Sequence, residues 1–171
     1  MWDSYIVGNS MDITIIGLGY VGLVNAVYLA SLGNQITGYD INKEKVSMLR
    51  QGEATIDEPR VQELLTKYES KLNFTANYKD ALRNANTIFV CVDTPQGKEG
   101  GVDLTNFDNI IETIAGNLNC NARVFIRSTV PVGTNRRVQK YFDEHASHHV
   151  DVISFPEFLS QGCALDNMEH P

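Results

Sequence analysis

Between residues 12 and 155, short apolar runs alternate with longer stretches in which apolar residues recur at helical spacing. Short β-branched or aromatic runs bounded by turn formers read as buried strands. Recurrence at i, i+3, i+4 and i+7 reads as a helix with one apolar face. The run 13–16, closed by Gly17, is the first strand. A helix follows over 20–32, where Val21, Val24, Val27, Tyr28 and Ala30 form a broad apolar face and Gly33 supplies the stop. Residues 35–39 make strand two, with Asp40 at its end, and helices are expected over 43–50 and 59–68. Pro59 suits the first turn of the latter, where a missing N–H costs nothing. Residues 72–74 are a weak third strand, 79–83 a short helix, and 87–92 a strong fourth strand that Thr94 and Pro95 stop. After a polar loop over 96–101, Asn109, Ile110, Ile111, Ile114 and Leu118 support a helix with an inward stripe. Strand five covers 123–127, a helix 133–144, and strand six 150–155.

Six strands and their crossovers, with no Pro-, Gly- or Ser-rich linker and no repeat, predict one α/β domain over residues 11–171. Its sheet is parallel and doubly wound, of the Rossmann type, with the order 3-2-1-4-5-6. Met11 opens the patterned region. Residues 1–10 are therefore expected to be a tag or an extension from an upstream start, and the sequence does not decide between them.

Gly17, Gly19 and Gly22 form G-x-G-x-x-G at the turn from the first strand into the first helix. In that context Gly17 permits the tight turn, Gly19 lets a pyrophosphate approach the backbone, and Gly22 lets the helix pack closely on the strand. The helix N-terminus offers free N–H groups and the positive end of its dipole to phosphates. Leu18, Tyr20 and Val21, between the glycines, are expected at the cofactor too. Asp40 stands 18 residues after Gly22, where a carboxylate accepts from the adenosine ribose and repels a 2′-phosphate, which favours NAD over NADP. Lys45 is either a neighbour of the adenosine or a solvated helix lysine.

Composition narrows the classes. A formal charge of −7 excludes bulk affinity for nucleic acid or anionic lipid, which needs a basic face. Cys91, Cys120 and Cys163 have no CxxC spacing and indicate neither a disulfide framework nor a zinc knuckle. With no stretch of membrane-span length and no secretory signal, a reducing, cytoplasmic location is expected. His145, His148 and His149 fall at a helix end and loop without a defined ligand partner, so a solvated cluster is preferred to a metal site.

The segments GLGYVGL (17–23), VDTP (92–95), STVPVGT (128–134) and FPEFLSQG (155–162) together resemble the UDP-glucose/GDP-mannose dehydrogenase family, over residues 11–171. The resemblance implies oxidation of a nucleotide sugar's primary alcohol to the carboxylate, through an aldehyde and a cysteine thioester, with two NAD reduced. It implies that Val92, Thr94 and Pro95 shape a loop near the cofactor, and that Ser128 and Thr129 lie beside the nicotinamide, with Thr129 holding the reacting water. A helix N-cap is the plainer role for those two hydroxyls. Glu157 matches a family glutamate tied to thioester hydrolysis; flanked by Phe155, Pro156 and Phe158, it is expected to be partly desolvated and suited to general-base work. Phe158, Leu159 and Ser160 are expected to line the sugar site. Gln161 is placed at the cofactor or the sugar, although several relatives carry an acid there.

The family's nucleophilic cysteine belongs to a glycine-rich segment that does not occur in this sequence. Cys163 is read as a small, half-buried residue and Cys91 as core. Asp166 and Pro171 fit the tail of the family pattern, which is expected to continue into another strand; the resemblance also implies a dimerisation helix and a C-terminal domain, through which relatives form homodimers. Three functions compete: the NAD domain of a nucleotide-sugar dehydrogenase, inactive by itself; a hydroxyacyl-CoA or 6-phosphogluconate type dehydrogenase, disfavoured by STVPVGT and FPEFL; and a non-catalytic NAD-binding module. Among sugars, PEFL favours UDP-glucose and GDP-mannose over N-acetylated ones.

Overall fold

The computed structural model describes residues 10–97 and 100–170. The expectation for the leading segment thus lies, apart from Ser10, outside the described residues. The strands are β1 (Asp12–Ile16), β2 (Gln35–Tyr39), β3 (Leu72–Thr75), β4 (Thr87–Val90), β5 (Ala122–Ile126) and β6 (Val150–Ser154). They pair in parallel throughout, in the order β3-β2-β1-β4-β5-β6. The helices are α1 (Tyr20–Ser31), α2 (Lys43–Arg50), α3 (Val61–Lys67), α4 (Tyr78–Ala81), α5 (Thr105–Asn117), α6 (Thr134–His145) and α7 (Ala164–Glu169).

Period-two alternation sends successive strand residues to opposite faces of the sheet. Ile13 and Ile15 of β1, with Phe89 of β4, meet Leu23, Val27, Val61 and Leu65 of α1 and α3 on one face. Ile16, Ile88, Val90, Val124 and Ile126 meet Phe107, Ile114, Val138 and Phe142 of α5 and α6 on the other. Even Thr14 obeys the alternation, because its hydroxyl donates to the carbonyl of Ala81 at 3.1 Å. Each large side chain buried this way contributes roughly 1.5–3 kcal/mol.

Two expectations need correction. Pro59 is not in a helical first turn: α3 opens at Val61, after Arg60 in the left-handed region (φ 67°), because the N–H of Val61 first closes a turn onto the carbonyl of Glu58. Ser128 and Thr129 do not cap a helix, since α6 starts only at Thr134, after Gly133 with φ 91°. Residues 164–169 form α7, whose Ala164 and Leu165 are buried against α1 and α3.

Candidate functional site

The carboxyl ends of the strands carry the site. Gly17 has φ 90°, and a Cβ there would stand 2.8 Å from the carbonyl oxygen of Cys91, so only glycine turns the chain at this point. α1 then begins with Gly19 as its N-cap and no side-chain cap. The first-turn N–H groups are left for a ligand, with the positive end of the helix dipole behind them. Around Gly19 there is room: an added Cβ would meet nothing nearer than Asp93 Oδ1 at 3.7 Å.

Asp40 is buried at the end of β2, 8% exposed. Its Oδ2 accepts from the N–H of Leu18 at 2.9 Å, and its Oδ1 from the N–H of Asn42 at 2.9 Å. Leu18 is therefore not a free donor for a ligand. Its side chain is core, and it acts by fixing Asp40 under the glycine turn. Lys45 Nζ pairs with Asp40 Oδ2 at 3.1 Å, so it is neither simply solvated nor independent of the acid. A carboxylate offers about four acceptor positions, and these three contacts leave one, on Oδ1, for a ribose hydroxyl.

A cavity of about 320 Å³ runs along this surface, lined by Gly17, Gly19, Asp40, Lys45, Val92 and the α5 residue Asn109. A second cleft, of about 160 Å³, is lined by Tyr20, Val21, Thr94, Ser128, Thr129 and Glu157. The two share Cys91, Val92 and Asp93 and so form one trough over the end of β4. A cavity of about 610 Å³ lies at the opposite edge of the sheet, among Asp12, Asn86, Asn121 and His149. That is the wrong edge for ligand binding in a doubly wound sheet, where ligands sit at the carboxyl ends of the strands.

Thr94 Oγ1 donates to the carbonyl of Thr129 at 2.8 Å, tying the loops after β4 and β5 together. Ser128 Oγ donates to the carbonyl of Val92 at 2.7 Å, so its hydroxyl braces the cleft wall. Glu157 Oε2 accepts from the N–H of Leu159, while Oε1 has no hydrogen bond among the described residues. Glu157 is half-buried, but Phe158 does not cover it, since that ring is 89% exposed. Pro95, Phe158, Leu159, Ser160 and Gln161 do not line the trough. The N–H groups of Leu159 and Ser160 are committed within the segment, to Glu157 and to Asn167 Oδ1.

Two residues without a motif shape the site. Glu58 is 6% exposed and accepts from Tyr20 Oη, from the N–H of Gly162 at 2.7 Å and from the N–H of Ala164 at 2.8 Å. It joins the glycine turn to the end of FPEFLSQG. Burial alone raises its pKa, but the three hydrogen bonds outweigh that and hold it below the ordinary carboxylate value. Tyr20 responds oppositely, pushed up to about 12 by burial and then by Glu58. Arg127, just past β5, is likewise buried at the edge of the smaller cleft.

A parallel 3-2-1-4-5-6 sheet, with an uncapped helix N-terminus over a glycine turn and a buried acid ending its second strand, defines a dinucleotide-binding domain. The chain belongs to the UDP-glucose/GDP-mannose dehydrogenase family, whose NAD binding domain matches residues 11–171. It is 38% identical, over 164 residues, to the UDP-glucose 6-dehydrogenase YwqF of Bacillus subtilis, covering 94% of this chain and 37% of that one. A UDP-glucose dehydrogenase from Pyrobaculum islandicum superposes with a TM-score of 0.90 at 32% identity, covering 96% of this chain and 40% of the other. The ternary complex of GDP-mannose dehydrogenase from Pseudomonas aeruginosa superposes at 0.87 with 30% identity, covering 93% and 39%. The chain thus spans about two fifths of the length of these proteins. The glycine cradle, the open α1 terminus and Asp40 all fit the NAD that the family binds.

Proposed function

We propose that this chain is the cofactor part of an enzyme that oxidises the primary alcohol of a nucleotide sugar, UDP-glucose in the first instance, to the carboxylate with two NAD reduced. One observation carries the proposal: Thr94, Thr129 and Glu157, from the loops after β4, β5 and β6, meet in a cleft continuous with the trough beneath α1. The first-turn N–H groups of α1 hold the pyrophosphate, and Asp40 accepts from the adenosine ribose. NAD supplies the hydride acceptor when bound. Thr129 positions a water, and Glu157, oriented through Oε2 by the N–H of Leu159, takes its proton at Oε1.

The cofactor arm is tested by calorimetric titration. The chain binds NAD more tightly than NADP by about tenfold, a modest ratio because Lys45 partly neutralises Asp40. Asp40→Ala narrows the difference. Equal affinities in the parent would remove Asp40 from the assignment.

The catalytic arm is tested by grafting residues 11–170 in place of the matching region of the Bacillus subtilis relative. The graft reduces NAD with UDP-glucose, and Glu157→Gln lowers its kcat roughly 10²- to 10⁴-fold, the range of a lost general base. A graft that folds and binds NAD but turns over neither UDP-glucose nor GDP-mannose overturns the proposal.

A further inference from the structure

Arg127 is only 6% exposed, yet no carboxylate pairs with it among the described residues. Its guanidinium lies over the ring of Phe155, 4.7 Å from the centroid, and its Nε has no hydrogen-bond partner among the described residues. It forms none of the ion pairs found there. Stacking on an aromatic face orients the guanidinium plane but provides no full counter-charge. Burial pulls the pKa of Arg127 down, against the upward pull of Cys91 once ionised and of the Glu157 carboxylate. A buried cation without a paired anion is costly.

The groups around it do not supply the anion. The Cys91 thiol is pushed up by burial and is neutral. The Tyr20 hydroxyl is committed to Glu58, and Glu157 turns Oε2 to the N–H of Leu159 rather than to the guanidinium. Arg127 nevertheless lines the same 160 Å³ cleft as Thr129 and Glu157. The cleft is the smaller end of the trough, about 160 Å³. Cofactor phosphates are drawn instead to the α1 terminus farther along the trough. A planar fork of N–H donors matches the two oxygens of a carboxylate.

We propose that Arg127 is the receptor for the carboxylate that the oxidation creates, so that the sugar acid is held more firmly than the alcohol it came from. The assignment rests on the nucleotide-sugar oxidation proposed above. It makes the product end of the reaction, rather than the substrate end, the ligand that completes this part of the site. Glu157 opposes an anion in the cleft, so binding depends on the guanidinium being present.

The test is a titration of the chain with glucuronate and, separately, with glucose, followed by NMR at the Arg127 Nε–H resonance and neighbouring amides. Glucuronate is expected to shift that resonance saturably, and glucose is not. Arg127→Met weakens glucuronate binding by about tenfold or more, the effect of removing a charge-assisted pair, and Arg127→Lys, which keeps the charge without the fork, falls between. Equal responses to the two sugars, no response to either, or undiminished binding in a folded Arg127→Met chain overturns the proposal. The failure of the reaction itself is separately visible. A graft without turnover alongside a chain that binds glucuronate through Arg127 removes the oxidation and keeps an anion site. A working graft without that binding removes only the role of Arg127.

Discussion

Gly22→Ala is expected to destabilise the domain by about 3 kcal/mol, the upper end of the usual cost of overpacking, and to weaken NAD binding at least tenfold. A Cβ built on Gly22 stands 1.8 Å from the carbonyl oxygen of Gly17 and 2.9 Å from its carbonyl carbon, with Cys91 Cβ at 3.4 Å. The obstacle is backbone, and that backbone is the glycine turn itself. Relief requires α1 to lift off β1 or the turn to open, and either movement disturbs the N–H groups that face the cofactor. Gly19→Ala is the informative contrast. Its added methyl meets no protein atom closer than 3.7 Å, so the fold tolerates it while the methyl occupies the approach of the pyrophosphate. Denaturant unfolding and NAD titration on both variants separate the two roles. A Gly22→Ala chain as stable as the parent would show that the turn yields more easily than its geometry implies.

Glu58→Ala is expected to cost about 3 kcal/mol and to release residues 155–170 from the body of the domain. The substitution leaves the N–H groups of Gly162 and Ala164 and the hydroxyl of Tyr20 without their shared acceptor, and each buried orphan costs on the order of 1–3 kcal/mol unless water reaches it. Arg60 does not compensate. Its pairs with Glu169 and Asp166 also hold α7 but are exposed, and solvent screening leaves such pairs little to contribute. Hydrogen exchange at the amides of Gly162 and Ala164 reads the release directly; unchanged protection there would refute the clamp.

The same carboxylate gives the domain a pH signature. Its folded pKa lies below the ordinary value of 4.5, so its contribution is present above that value and is lost as pH falls through the folded one. Tyr20 sets the alkaline limit with the opposite sign. Its folded pKa of about 12 exceeds the ordinary 10.0, so its contribution is complete below pH 10 and disappears as pH rises towards 12. Unfolding measured against pH should lose the acid limb in Glu58→Ala.

The dinucleotide half of the site is legible because its parts are close in sequence. β1, the glycine turn, α1, β2 and Asp40 follow one another within thirty residues, and each has a local signal: a β-branched run, spaced glycines, a helical period, an acid at a strand end. Alternation then assigns the faces of the sheet, and right-handed crossovers leave few orders for six parallel strands. The smaller cleft is legible only through motifs. Thr94, Thr129 and Glu157 lie on three separate loops, and no periodicity brings them together. Phe155 and Phe158 look like a desolvating shell in the sequence, yet a flanking position does not fix where a ring points, and Phe158 points to solvent.

Glu58 and Arg127 mark the limit. A glutamate before a proline in a polar loop carries the pattern of a surface residue, and the partners that bury it are 104 and 106 residues away. A basic residue ending a strand likewise reads as exposed until the loop after β6 lays Phe155 against it. By itself the sequence determined the sheet, its order and a cofactor turn built from Gly17, Gly19, Gly22 and Asp40, because those follow from neighbours in the chain and from backbone geometry. Only the tertiary structure decided which charges are buried and what they hold. Burial and pairing of a charge depend on side chains brought from distant segments, and their energies are set by that environment rather than by residue type.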